Sequence, residues 1–136
     1  MFWSFALYCV DRFSKEYLNE LLKKAEDEES GNALIIEENE KSNESDDNYV
    51  KAFINWSADD INKYHKKKYG YGNTPISRWR FAILSNESAS EDKLEICSNS
   101  QIEDKFTVHR VRSDLGSSCL ICSALGTLDV EVSSNL

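Results

Sequence analysis

The sequence is poor in the residues that interrupt regular structure and has no long apolar segment. One proline and five glycines occur in 136 residues, which favours helices and strands joined by polar loops. No apolar run approaches the roughly 18 residues of a membrane-spanning helix. The opening stretch MFWSFALYCVDRF has neither a basic leader nor a small-residue cleavage site, so it predicts a first strand instead of a signal peptide. We therefore expect a cytoplasmic protein without membrane association.

The motifs of common enzyme classes are also missing. The sequence contains neither G-x-S-x-G, the mark of many serine hydrolases, nor a glycine-rich phosphate loop of the P-loop or dinucleotide-binding type. His65 and His109 are the only histidines, and no pair of carboxylates stands out from the general acidity. We predict no catalytic residues, no cofactor and no enzymatic activity.

Basic residues are outnumbered, with 16 lysines and arginines against 24 acids and a formal net charge of −8. A general nucleic-acid binder needs a basic surface to displace counterions from phosphates, so direct nucleic-acid binding is not expected. An acidic surface instead suits a partner that is itself basic, because complementary charge accelerates and selects association.

The four cysteines include one C-x-x-C pair, Cys119 and Cys122. A zinc site needs about four ligands, and Cys9 and Cys97 have no cysteine close to them in sequence. If residues 117–125 form a strand, the pair faces opposite sides of the sheet, whereas a helix would place both thiols on one face. The β-prone residues favour the strand, and we expect reduced structural thiols and no metal.

The length and a hydrophobic content of 40% predict one globular α+β domain over residues 1–136. Ser14 is a good N-cap for a helix over 14–29, in which leucines recur at helical spacing. Ser57 and Asp60 form a capping-box pattern at the start of a second helix over 57–69, and lysines gather at its end.

Strands are predicted at the N-terminus, over 50–56, and as a meander over 77–132 that ends with LDVEV. The alternation and short polar connections predict a mainly antiparallel sheet with about two helices packed on it. A short strand within NALIIEE is also compatible with the pattern. We expect seven side chains of the meander to be mostly buried: Trp79, Phe81, Ile83, Leu94, Ile96, Phe106 and Val108.

The strongest charge bias lies in residues 26–48, which hold ten acids and one lysine and include a predicted mobile loop around 37–48. One interpretation is a solvated loop. The other is a recognition surface of a non-enzymatic immunity or inhibitor protein, which would cover the active or nucleic-acid-binding surface of a basic toxin or nuclease. The residues predicted to contact such a partner are the acids of this segment and two nearby aromatics: Glu37, Glu38, Glu40, Asp46, Asp47, Tyr49 and Trp56.

A basic island over Lys63–Arg80 supports a different hypothesis. Its lysines alternate with Tyr64, Tyr69 and Tyr71, a composition that can hold phosphates and stack on rings. The simpler interpretation is that lysines end a helix where the dipole favours them. A small enzyme or a nucleic-acid-associated protein using this island, and a structural adaptor subunit, are the alternatives to the immunity or inhibitor hypothesis.

Overall fold

The computed structural model describes residues 4–25, 33–43, 47–69, 76–102 and 105–114. It has mixed α/β content, with three helices and one five-stranded sheet in this part of the chain. The strands are β1 (Ser4–Cys9), β2 (Ala33–Ile36), β3 (Ile76–Leu84), β4 (Lys93–Ile102) and β5 (Lys105–Asp114). The helices are α1 (Lys15–Ala25), α2 (Ala58–Tyr69) and α3 (Asn86–Ser90).

The prediction of a mainly antiparallel sheet is wrong, because the sheet is mixed. Its strand order is β2-β1-β3-β4-β5. The second strand in this order, β1, pairs in parallel with both β2 and β3, whereas β3–β4 and β4–β5 are antiparallel. Every residue from Phe5 to Cys9 is buried, as expected for a parallel strand that is covered on both faces.

Helices cover the two faces of the sheet and create two apolar layers. Leu18 and Leu21 of α1 pack in one layer with Leu7 of β1. Ile61 of α2 packs in the other layer with Tyr8 of the same strand. The connection from β1 to β2 and the connection from β2 to β3 run in opposite directions across the sheet, so two right-handed crossovers place α1 and α2 on opposite faces.

Both predicted helix starts are confirmed by their caps. The Ser14 hydroxyl accepts from the Tyr17 amide at 3.1 Å at the start of α1. At the start of α2, the Ser57 hydroxyl accepts from the Asp60 amide at 3.1 Å, and the Asp60 carboxylate accepts from the Ser57 amide at 3.4 Å. These bonds satisfy amide groups that have no partner inside the helix. The short α3 was not predicted.

The predicted strand over 50–56 is wrong. Ile54 and Asn55 form a turn, and Asn55 has a left-handed φ of 65°. The segment crosses the end of β1, where the Phe53 amide donates to the Cys9 carbonyl at 2.7 Å. Val50 is buried on the α1 side and Phe53 on the α2 side, so the alternation reflects a loop that contributes to both cores.

The burial predictions for the meander are confirmed wherever a side chain is described: Phe81, Ile83, Leu94 and Ile96 are all buried. The side chains of Trp79, Phe106 and Val108, and all residues of the LDVEV segment, lie outside the described part. None of the helices in the described residues combines the length and apolar character needed to cross a membrane.

Candidate functional site

One face of α2 forms the wall of a pocket. Ile61 and His65 are buried against the sheet, so the residues at the complementary helical positions face outward. These include Lys63 and Lys67, which are exposed and lie one turn apart on the outer surface of the helix. Tyr64 lies beside them, partly buried and packed against the core.

A loop wall faces this helix and is positioned by the aromatic core. The Trp56 ring packs edge-to-face on Phe53 with centroids 5.1 Å apart, and on Tyr64 at 5.7 Å. The segment that carries Lys41 is held by Asn39, whose amide donates to the Lys51 carbonyl at 2.9 Å. Two loops distant in sequence are thus fixed beside the helix.

We call the resulting cavity the lysine pocket. Its volume is about 680 Å³, within the range of roughly 300–1,000 Å³ typical of small-molecule sites. Its lining combines four lysines, two aromatic rings and two acids: Lys41, Lys63, Lys67, Lys68, Trp56, Tyr64, Glu40 and Asp60.

The charges of the pocket are unequally compensated. The Lys68 ammonium lies 2.9 Å from Glu37 Oε2 and 3.0 Å from Glu40 Oε1, so this cation is already paired. Burial alone would lower the pKa of Lys68, but the hydrogen bonds with the two carboxylates raise it above its ordinary value. The Tyr69 hydroxyl donates to Glu37 Oε1, and burial together with this carboxylate raises the pKa of Tyr69 to about 12.

The other three lysines of the pocket are not paired with a carboxylate anywhere in the described structure. Lys41, Lys63 and Lys67 are exposed at the cavity, and the Lys41 ammonium lies 5.8 Å from the centre of the Trp56 ring. Asp60 is engaged in capping α2. The pocket therefore gathers three ammonium groups that have no paired carboxylate among the described residues, on a chain whose net charge is −8.

A buried histidine connects α2, the helix that lines the pocket, to the sheet. His65 Nε2 lies 2.7 Å from the Ser77 carbonyl oxygen, and Nδ1 lies 2.6 Å from the Tyr8 hydroxyl. A carbonyl only accepts, so Nε2 donates to Ser77 and Nδ1 accepts from Tyr8. Burial lowers the pKa of His65 to about 4, which keeps the ring neutral at pH 7. Both ring nitrogens of His65 are therefore hydrogen-bonded within the protein, one to Tyr8 of β1 and one to Ser77 of β3, and these bonds hold α2 against the sheet.

The residues predicted to contact a basic partner are dispersed. Glu37 is 5% exposed and bonded to Lys68 and Tyr69. Glu40 pairs with Lys68, and Trp56 forms a wall of the lysine pocket. The remaining members do not join them in the pocket: Glu38 and Asp47 are exposed, Tyr49 is partly buried beneath the Arg12 guanidinium at 4.2 Å, and Asp46 lies outside the described residues.

The acidic loop is anchored along part of its length. The Glu37 amide donates to the Leu7 carbonyl at 2.9 Å, and Asn39 Nδ2 donates to the Ala52 carbonyl at 3.3 Å. The hypothesis of an immunity or inhibitor protein stays a prediction, but Glu37 does not present a free carboxylate to a partner.

The basic island divides into residues that line the pocket and residues that do not. Lys63, Lys67 and Lys68 contribute to the cavity, whereas Arg80 is on β3 and is not part of its lining. Residues 70–75 lie outside the described part. The lysines and tyrosines of α2 were recognisable in the sequence as a possible binding surface. The contribution of Lys41 was not, because no local sequence pattern connects it to α2.

The described residues form neither a metal site nor a reactive thiol site. No group of three or more potential metal ligands occurs there. Cys9 and Cys97 are buried and form no disulfide, and burial raises the pKa of Cys9 to about 12. Cys119 and Cys122 lie outside the described residues.

Comparison with known proteins gives no relative: no family model, curated protein or solved structure matches the chain. The geometry of the lysine pocket is therefore the main indication of function.

Proposed function

We propose that this protein is a non-catalytic binding protein whose lysine pocket holds a phosphorylated small molecule. The observation that carries the proposal is the convergence of Lys41, Lys63 and Lys67 on one cavity without a carboxylate partner among the described residues. Like charges at helical spacing of four, such as Lys63 and Lys67, repel each other by a few tenths of a kcal/mol. A bound anion would remove this repulsion.

The number of cations favours phosphate as the anionic group. The described lining contains lysines and no arginine. Both residue types bind phosphate, arginine through its planar fork and lysine as a compact point charge, so the identity of the cation alone does not select the anion. Three ammonium groups suit a group that carries more than one negative charge.

The acidity of the whole chain supports a confined ligand. Acids outnumber bases by 24 to 16, so a long polyanion would experience repulsion outside the pocket. A small phosphorylated molecule would be surrounded mainly by the local positive charge.

Titration of the purified protein with sodium pyrophosphate tests the proposal, with isothermal calorimetry for affinity and amide NMR for location. We expect saturable binding and shifts concentrated on α2 and residues 40–41. Replacing both Lys63 and Lys67 with glutamine should weaken binding by about a hundredfold or more, since charge-assisted hydrogen bonds contribute about 1.5–3 kcal/mol each.

The matched control replaces Lys23 and Lys24 with glutamine at the end of α1, on the opposite side of the sheet. This change removes the same charge without touching the pocket. Absence of binding by the wild-type protein, or equal weakening by both double variants, contradicts the proposal.

A further inference from the structure

The Tyr64 side chain has a feature that charge binding does not explain. Its ring lines the lysine pocket, but its hydroxyl oxygen is buried and has no hydrogen-bond partner in the described structure. Buried hydroxyl groups normally have a partner, because removal from water without one is unfavourable. A group retained in this condition beside a cavity is a candidate for ligand recognition.

The immediate neighbours of Tyr64 are aromatic rings in edge-to-face contact. Phe53 lies 5.1 Å away, Trp56 5.7 Å and Tyr8 6.2 Å, measured between ring centroids. The first two offer no acceptor, since the indole of Trp56 is a donor. The Tyr8 hydroxyl donates to His65 and makes no hydrogen bond with Tyr64. The neighbouring rings therefore form an apolar wall around Tyr64, and its hydroxyl has no hydrogen-bond partner among the described residues.

The size of the cavity indicates that phosphate fills only part of it. A volume of about 680 Å³ is that of a site for a whole organic molecule. The three lysines without a paired carboxylate among the described residues account for an anionic end, and the Trp56 and Tyr64 rings, which meet edge-to-face, account for an apolar region beside it. Aromatic side chains of this kind bind nucleobases by stacking or edge contacts.

We infer that the ligand of the lysine pocket is a nucleotide-class molecule, with its phosphate on Lys41, Lys63 and Lys67 and its base against the Trp56–Tyr64 wall. Tyr64 is the specificity-determining residue, because its hydroxyl donates to an acceptor on the base after a small displacement of the wall. This inference rests on the proposed phosphate site and adds the identity of the remainder of the ligand.

The test compares ligands that share a phosphate but differ in the base. Affinities of ribose 5-phosphate and of the four ribonucleoside monophosphates are measured by calorimetry on wild-type protein and on Tyr64→Phe. We expect the best monophosphate to bind about tenfold more tightly than ribose 5-phosphate, in line with the contribution of one base–aromatic contact.

The Tyr64→Phe variant gives a signature that a merely structural role would not give. It should weaken the best monophosphate about tenfold and leave ribose 5-phosphate unchanged, because only the base reaches the hydroxyl. Its melting temperature should stay equal or rise, since an unsatisfied buried hydroxyl is removed. Tyr17→Phe on α1, where the tyrosine is exposed, is the matched control and should change neither affinity.

The outcomes separate this inference from the proposed function. Pyrophosphate binding without any preference for monophosphates over ribose 5-phosphate overturns the nucleotide assignment and leaves the phosphate site intact. Equal weakening of both ligands in Tyr64→Phe overturns the role of the hydroxyl. Tighter binding of a short single-stranded RNA than of every monophosphate, with a steep salt dependence, assigns the pocket to nucleic acid and also overturns the inference.

Discussion

The buried His65 makes the stability of the protein depend on pH in a way that can be isolated. Its pKa is about 4 in the folded state because burial disfavours the imidazolium, compared with 6.5 in a solvated chain. Between these values the unfolded state binds the proton and the folded state does not. The free energy of unfolding therefore falls as the pH decreases through this window and rises as the pH increases.

The magnitude follows from the difference of about 2.5 pKa units, at 1.36 kcal/mol per unit, and amounts to about 3 kcal/mol between pH 7 and pH 4. The perturbation that isolates it is His65→Gln. Glutamine offers a donor and an acceptor for the Ser77 carbonyl and the Tyr8 hydroxyl but does not titrate. We expect the variant to be less stable at pH 7 and to lose less stability on acidification.

Urea unfolding of both proteins at half-unit steps from pH 7.5 to pH 4 measures the effect. The difference between the two curves reports His65 alone, because the carboxylates contribute to both. Parallel curves for wild-type protein and variant would refute the reasoning, as would a His65 imidazole that titrates near 6.5 in NMR spectra of the folded protein.

Three further predictions concern the cap of α2, the Lys68–Glu37 ion pair and the acidic surface. Ser57→Ala should lower the unfolding free energy by about 1 kcal/mol in urea titrations, because the Asp60 amide loses its cap. Lys68→Met should lower the free energy of unfolding by about 2–3 kcal/mol, because the buried Glu37 carboxylate loses its cation. The double variant Lys68→Met with Glu37→Gln should recover part of this loss. If the effects of the two substitutions on the free energy of unfolding simply add, the two side chains are not coupled. If the protein neutralises a basic partner, Glu38→Gln with Asp47→Asn should slow association more than it speeds dissociation in surface plasmon resonance, and unchanged association at low salt contradicts that hypothesis.

Local sequence signals were sufficient where the stabilising contacts are themselves local. Ser14 and Ser57 mark the starts of α1 and α2 because a cap bonds to an amide two or three residues away. The alternation of apolar residues likewise located β3 and β4, since successive side chains of a strand face opposite sides.

Strand pairing was not predictable in the same way. Residues 5–9 of β1 are buried, so they show no alternation of apolar and polar side chains. The parallel neighbours β2 and β3 reach β1 through separate connections that contain helices. The alternation over 50–56 resembled a strand, but Asn55 adopts a left-handed conformation and the segment ends in a turn. Apolar pattern alone does not distinguish a paired strand from a loop that fills two cores.

The amino-acid sequence by itself determined the charge of the chain, the positions of its two longer helices and the lysine-rich composition of α2. Only the tertiary structure decided which charges remain available. It placed Glu37 and Glu40 on Lys68, and it brought Lys41 beside Lys63 and Lys67. The physical reason is that charge compensation depends on distances of a few ångströms between side chains, and folding sets those distances for residues that are far apart in the chain.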